Sequence, residues 1–462
     1  YGIDETWTLL VPNAKGGASE PLTRNETAMK KADPNFMPVY QQIGQYWGDQ
    51  PGTSGPVYVG AFVMMLFILG LFIVKGGIKW ALLAATILSI LLSWGHNFMP
   101  FTNFFLDYIP MYAKFRTVAS ILVIAEFTIP LLAMMALKKI IDEPEILNKK
   151  LKFVYISFGL TAGFCLLFLV MPGLFFSDFI SAQEMQAFRQ IPQEYLSQML
   201  PNLRAMREAM FDADCWRSFI IIAIGTLMLL LFKAKKLKET WLVAGIIILC
   251  GVDMWGVNKR YLHDDMFVEA SVKDTPITMT ESDKQILQDK GLDYRVLNLA
   301  SNTFNENETS YYHKSIGGYH PAKLRRYQEL IDYHIAPEMR AMMGAIAEAG
   351  GDMTKVNGDS IWPVLNMLNT KYVIMPLQGG QTVPIQNTYS FGNAWFVNKI
   401  TYVKNANEEI DALGKLNLRH EAVADEKFKD ILGNAKEQGG TSVATVTAYD
   451  ANRLTYDVKS DK

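Results

Sequence analysis

Cysteine is scarce in this chain: three residues, Cys165, Cys215 and Cys250, among 462. An odd number lying in or beside apolar runs builds no disulfide framework, so each reads as a small apolar side chain. Net charge is scarce too. A balance of −2 leaves no basic field for a polyanion, and no nucleic-acid partner is expected. The motifs of soluble enzymes are missing: there is no Walker A loop, no dinucleotide fingerprint, no HExxH and no CxxC pair. His313 and His320 lie seven apart in a glycine-containing loop, which is not a metal-site spacing. No cofactor follows from the residues, and a divalent metal is left open. The chain opens on Tyr1 with no Met, no basic leader and no cleavage site, and it stops as a C-terminal hairpin closes. It therefore reads as a piece of a longer protein.

What is abundant is apolar length. Half of the residues are hydrophobic, yet the mean hydropathy is only +0.09. Two populations must be averaging out. Six apolar runs lie between Val57 and Val257: Val57–Val74, Trp80–Trp94, Val118–Leu137, Phe153–Met171, Trp216–Phe232 and Trp241–Val257. A helix crossing a hydrocarbon core of roughly 30 Å needs about 17 to 25 residues, so all six are candidate spans, the second the shortest. Trp80, Trp94, Trp216, Trp241 and Trp255 sit near run ends, where indoles prefer the interface. Lysines collect in alternate connections: Lys75 and Lys79, then Lys138, Lys139, Lys149, Lys150 and Lys152, then Lys233, Lys235, Lys236 and Lys238. Six spans put these loops on one side, which the positive-inside rule makes cytoplasmic.

The expected fold is a polytopic α-helical membrane bundle with a mixed α/β domain behind it. Residues 1–56 form an extracytoplasmic segment, 57–257 the transmembrane region, and 258–462 the extracytoplasmic α/β domain. In the loop Pro172–Cys215, the spacing of Phe188, Ile191, Tyr195 and Met199 predicts an amphipathic helix. After Asn258, Tyr294–Leu299 and Lys371–Met375 read as buried strands. Lys323–His334 and Glu338–Ala349 read as helices, the second started by Pro337 and stopped by Gly350-Gly351. Asn407–Leu413 and Glu426–Leu432 read as shorter helices. Leu454, Tyr456 and Val458 alternate with polar residues as in a half-buried strand, with Ser442–Tyr449 as its hairpin partner.

Polar residues near the outer ends of the spans are the candidates for chemistry. The loop from Asn97 to Arg116 carries Phe98, Phe101, Phe104, Phe105, Leu106, Ile109 and Met111, too apolar to float in water. Lys114 and Arg116 follow it at the mouth of the third span. Snorkelling anchors explain them; so does a lipid-linked phosphate, which a guanidinium grips with forked hydrogen bonds. Glu126 falls roughly 14 Å beyond Thr117 at 1.5 Å per residue. It should face the bundle interior or a partner, or be protonated. Asp253 lies near the outer end of the sixth span. In the soluble region, Tyr311, Tyr312, His313, Lys314, Tyr319 and His320 combine flat rings with neutral donors around Gly317-Gly318, suiting sugar or phosphate recognition or a well-packed loop.

Tyr46-Trp47-Gly48-Asp49-Gln50-Pro51, Ser54-Gly55-Pro56-Val57-Tyr58-Val59-Gly60, Leu91-Leu92-Ser93-Trp94-Gly95 and Lys114-Phe115-Arg116 resemble segments of YfhO-type bacterial membrane proteins, especially those of Bacteroidetes. Tyr1-Gly2-Ile3-Asp4-Glu5-Thr6, Val11-Pro12-Asn13 and the run Thr303 to His320 fit as well. The resemblance implies a GT-C-like fold in the bacterial inner membrane, moving a sugar from a polyprenyl-phosphate carrier to an envelope glycan or glycolipid acceptor. It implies that Arg116 and Lys114 contact the donor phosphate, that the family's catalytic acid lies upstream of Tyr1, and that Asp4 and Glu5 are the acidic candidates here. A transporter or lipid flippase, with Glu126 and Asp253 on its pathway, is the leading alternative; a non-catalytic envelope scaffold is the third.

Overall fold

The structure is a computed structural model that describes the chain apart from residues 51, 53–54, 115–116, 177, 353–354, 434–441 and 461–462. The chain forms two compact units, Tyr1–Val268 and Glu269–Lys462.

The first unit is a helical bundle with the N-terminal segment woven into it. Two short strands, β1 (Gly16–Pro21) and β2 (Gly44–Tyr46), pair antiparallel. The longer helices are α1 (Ala61–Ile73), α2 (Ile78–Ser93), α3 (Met99–Tyr108), α4 (Val123–Asp142), α5 (Leu151–Gly159), α6 (Ala162–Val170), α7 (Gln193–Lys233) and α8 (Glu239–Asn258). Among the described residues, four helical stretches are long and apolar enough to cross a membrane: Val118–Asp142, Leu151–Val170, Gln193–Lys233 and Glu239–Asn258. They contain or closely match the third to sixth expected spans. The faces left outside are those of a membrane bundle: on α8 Trp241, Ile247, Ile248, Val252 and Trp255 are each 65–68% exposed. Water would not tolerate that contiguous apolar belt, and lipid does.

The first two expected spans take other forms. The run at Trp80–Trp94 becomes α2, after which the chain bends by 105° into the stretch Gly95–Tyr108. The run Val57–Val74 yields a helix of only 13 residues. Gly60, with φ of +98°, turns the chain immediately before α1, so Val57–Gly60 lies outside the helix. Helix α1 is nevertheless the centre of the bundle, since Ala61, Phe62, Met65, Leu66 and Leu69 are fully enclosed. Helix α7 lies close against it: a side chain on Gly225 would sit 2.3 Å from the Phe62 ring. Such close approach by a small residue is a common basis of helix association in lipid.

Helix α7 also corrects a boundary. The amphipathic stretch at Tyr195–Met199 and the span at Trp216–Phe232 form one helix of 41 residues running through Pro201, about 60 Å at 1.5 Å per residue. Its first half packs Met199, Leu203, Met206 and Met210 against Leu22, Phe36, Tyr40 and Trp47 of the N-terminal segment. Trp7 plugs the same segment into the bundle among Phe164, Phe168 and Phe175.

In the second unit, β3 (Arg295–Asn298) runs parallel to β4 (Thr370–Pro376), and β5 (Thr382–Gln386) adds antiparallel to β4. Helix α9 (Ala336–Glu348) continues directly from Arg325–Leu330 through a π turn at Ile331–Ile335. The two expected helices are thus one. Pro337 has no N–H to donate, and the widened turn accommodates its ring. The buried side is Leu297, Val373, Ile331, Ile335, Met342 and Trp362. A short helix, α10 (Pro363–Met367), meets α9 through Glu338, which accepts from its first N–H groups. A parallel pair, β6 (Lys399–Val403) with β7 (Glu421–Asp425), and the hairpin β8 (Val443–Asp450) with β9 (Arg453–Lys459) complete the strands. The hairpin falls where the alternation puts it, but Leu454 and Val458 are about half exposed rather than buried.

Candidate functional site

The bent stretch after α2 brings the aromatic loop to the bundle edge. Phe98, Phe101, Phe105 and Tyr112 form a chain of rings with centroids 5.0–5.6 Å apart. Phe104, Tyr108 and Met111 point outward and are exposed. An apolar cavity of about 290 Å³ opens beside this helix, lined by Leu92, Tyr112, Thr117, Val118, Ser120 and Ile121. Tyr112 and Thr117 bracket the stretch of chain that carries Lys114, which ends a single helical turn and is exposed. Arg116 lies outside the described residues.

The two acidic candidates at the start are not open. Glu5 is 1% exposed and accepts hydrogen bonds from the Gly2 N–H and the Tyr46 hydroxyl. Burial, and then the Glu5 charge, pushes the Tyr46 phenol well above its ordinary pKa, so it stays a donor to that carboxylate. Asp4 is held by Lys15 at 2.6 Å.

Asp253 is engaged on every side. Its carboxylate accepts from the Tyr58 hydroxyl at 2.9 Å, from the Ala61 N–H at 3.1 Å and from Arg217 at 2.5 Å. Its charge therefore caps the N-terminus of α1, where the helix dipole favours an anion. Glu126 goes the other way. The buried face of α4 is Ala125, Thr128, Ile129, Leu132, Ala133 and Ala136. Glu126 lies off that face and is exposed beside Val123 and Phe127. Of the expected surroundings, the bundle interior is excluded.

The tyrosine–histidine loop of the second unit is mostly committed to its own fold. The His313 ring nitrogen Nε2 pairs with Asp283 at 2.9 Å and its side chain is 2% exposed. Lys314 binds Asp293, and the Tyr312 hydroxyl donates to the Ile277 carbonyl. Ser315 bridges to Val296, so the loop extends the sheet edge. Gly317 is required by contact rather than flexibility: a Cβ there would be 1.8 Å from the Thr303 carbonyl oxygen. Tyr311, Tyr319 and His320 remain exposed. Among the described residues, no group of three or more His, Cys, Asp or Glu is placed to hold a metal ion.

The sequence reading missed a ladder of charges along α7. Arg204 forks onto Asp178, drawing that carboxyl below its usual range. Fully buried Arg207 forks onto Glu184 and donates to the Phe179 and Gly44 carbonyls. Asp214 accepts a forked pair from Arg260 at 2.6 and 2.7 Å, and the Asn13 N–H at 3.0 Å. Spacings of three, seven and three from Arg204 through Arg207 and Asp214 to Arg217 were the available signal; the partners, drawn from distant segments, were not. No family model, no curated protein and no solved structure matches this chain.

Proposed function

We propose that the chain belongs to a glycosyltransferase-like membrane protein of YfhO type, which takes a sugar from a polyprenyl-phosphate donor to a cell-envelope acceptor outside the bacterial inner membrane. The observation that carries the reading is the apolar cavity between Leu92, Tyr112 and Ile121 next to Lys114. A lipid carrier needs an apolar slot for its chain and a cation at the interface for its phosphate, and this edge of the bundle offers both. The exposed aromatic helix α3 suits the same depth. Arg116 is the second cation of the reading, with the six-span topology and an outward-facing second unit as its frame. Tyr311, Tyr319 and His320 are the exposed groups of their loop available to an acceptor glycan. The transporter alternative loses weight because Asp253 already has a full set of partners in a helix cap.

The test is turnover and donor affinity of the full-length protein carrying Arg116→Lys, Arg116→Ala or Lys114→Ala, at matched membrane abundance. Charge-assisted hydrogen bonds to phosphate contribute roughly 1.5 to 3 kcal/mol, so Arg116→Ala should lose about tenfold or more in kcat/KM. Arg116→Lys should also be damaging, since a point charge cannot reproduce the fork. Normal kinetics in Arg116→Lys would retire the phosphate role and leave an anchor.

A further inference from the structure

A cavity of about 450 Å³ opens in the second unit, between the loop 414–420 and the segment 357–363. Its size falls within the range of about 300–1,000 Å³ typical of small-molecule sites. The loop links the helix Ala406–Leu413 to β7, and buried Leu418 ties it to the core. Lys415, Arg419 and His420 reach the cavity from this short, anchored stretch. Arg419 is the fixed element. Its Nη2 donates to Asp359 at 2.8 Å and to the Tyr389 carbonyl at 2.9 Å, and its guanidinium carbon lies 4.5 Å from the Phe391 ring centre. Stacking and hydrogen bonds hold the plane still, so little rotamer freedom is left to lose on binding. The side chain is still 39% exposed, and its Nη1 has no hydrogen-bond partner among the described residues. An immobilised, accessible guanidinium with an open donor suits an oxyanion.

The neighbouring side chains point to the same class. Lys415 and His420 are exposed, and neither side chain has a hydrogen bond or ion pair among the described residues. The side-chain amide of Asn357 and the Asn417 Nδ2 are likewise without partners there, and both residues are exposed. Asp359 is the one carboxylate among the described lining residues, and Arg419 answers it. Lys415 therefore leaves the lining with an excess of positive charge, which attracts an anion. A carboxylate has two oxygens to share among these donors, whereas a phosphate ester has three strong acceptors. The phosphate uses the set more fully.

We propose that this cavity binds a phosphate group, gripped by Arg419 and Lys415 and oriented by the amides of Asn357 and Asn417. The inference uses no residue of the first unit, so a failed Arg116 test would leave it standing. The experiment is calorimetry, with phosphorus NMR line broadening as a second readout, on the whole chain purified in detergent. The probes, at constant ionic strength, are inorganic phosphate, glycerol phosphate, dihexanoyl phosphatidic acid and acetate. Saturable phosphate binding is expected, weakened about tenfold by Arg419→Lys, which keeps the charge and loses the fork. Lys415→Ala should weaken it about threefold, and Lys290→Ala, at an exposed lysine outside the cavity, should leave it unchanged. Arg419 also holds Asp359 and Tyr389, so its variant can loosen the loop; Lys415 holds nothing, and its variant keeps the test open. Tighter binding of dihexanoyl phosphatidic acid than of glycerol phosphate would place the phosphate on a lipid head group, and the reverse on a soluble ester. Absence of saturable phosphate binding, acetate bound as tightly as phosphate, or affinity indifferent to both cavity variants would each overturn the proposal.

Discussion

The two units differ in how they hold their deepest carboxylates. In the first, three come paired with guanidinium groups, Glu184 with Arg207, Asp214 with Arg260 and Asp253 with Arg217, while Glu5 is held by an N–H and a phenol. In the second, the buried carboxylate Glu338 has no ion-pair partner among the described residues. It accepts the N–H groups of Val364 and Leu365, both at 2.9 Å, and so caps α10. Its pKa is pushed up to about 7 by burial, a rise that the two backbone hydrogen bonds only partly offset. Inside the first unit, water cannot reach an unpaired guanidinium such as that of Arg207, so it is matched to a carboxylate within the fold. In a unit of strands and short helices, a helix N-terminus and a proton can serve instead.

The largest effect should come from breaking a pair in the first unit. Glu184→Ala leaves the Arg207 guanidinium 0% exposed and without its carboxylate. Stranding a buried charge typically costs about 3–5 kcal/mol, so the variant should melt far below the native protein in detergent. Glu184→Gln combined with Arg207→Met should recover much of that loss, because neither side chain then carries a charge. A single variant that melts normally would show that water reaches the pair, and the contrast between the units would fall.

The next effect is pH-dependent and belongs to the second unit. Between pH 4.5 and about 7, folded Glu338 keeps a proton that the unfolded chain releases. Its contribution to stability is therefore greatest below pH 4.5, falls as pH rises through 7, and is level above that. The span amounts to at most about 3 kcal/mol. Unfolding of the whole chain, followed by the fluorescence of buried Trp362 and its neighbours, should show the second unit gaining stability from pH 8 to pH 5. Glu338→Gln should flatten that slope. An unchanged slope in the glutamine variant would assign it to another group.

Much of the bundle is legible in sequence because lipid imposes a length and a composition on each span. Tryptophans and lysines then mark the ends, which is why Trp241–Val257 and α8 nearly coincide. What escapes is set by distant partners. Nothing local in Val57–Val74 says that Asp253, on another helix, will cap the chain at Ala61. The continuity of α7 escapes because its two halves lie in different surroundings, one against the N-terminal segment and one in the bundle, so hydropathy cuts it at Cys215. The contact of Asp214 with Arg260 and the Asn13 N–H escapes for the same reason: the three come from distant segments and are meaningful only when brought together. The aromatic loop beside Lys114 was readable, since seven large apolar side chains between two spans have few places to go.

The smallest effect tests the water side of the comparison. On the surface of the second unit, Arg325 and Glu329 form an i,i+4 pair at 2.8 Å, with side chains 91% and 39% exposed. Water solvates both groups whether or not they meet, and holding two long side chains together costs rotamer entropy. Exposed helical pairs therefore contribute only about 0.3–0.5 kcal/mol. Glu329→Ala should shift unfolding by no more than that, and added salt should erase the difference by screening. The companion Arg325→Ala should behave alike, and the double variant should reveal almost no coupling beyond the sum. A loss above about 1 kcal/mol that persists in salt would mean this helix is shielded in the assembled protein. The expectation that water sets the strength of this exposed pair would then fail.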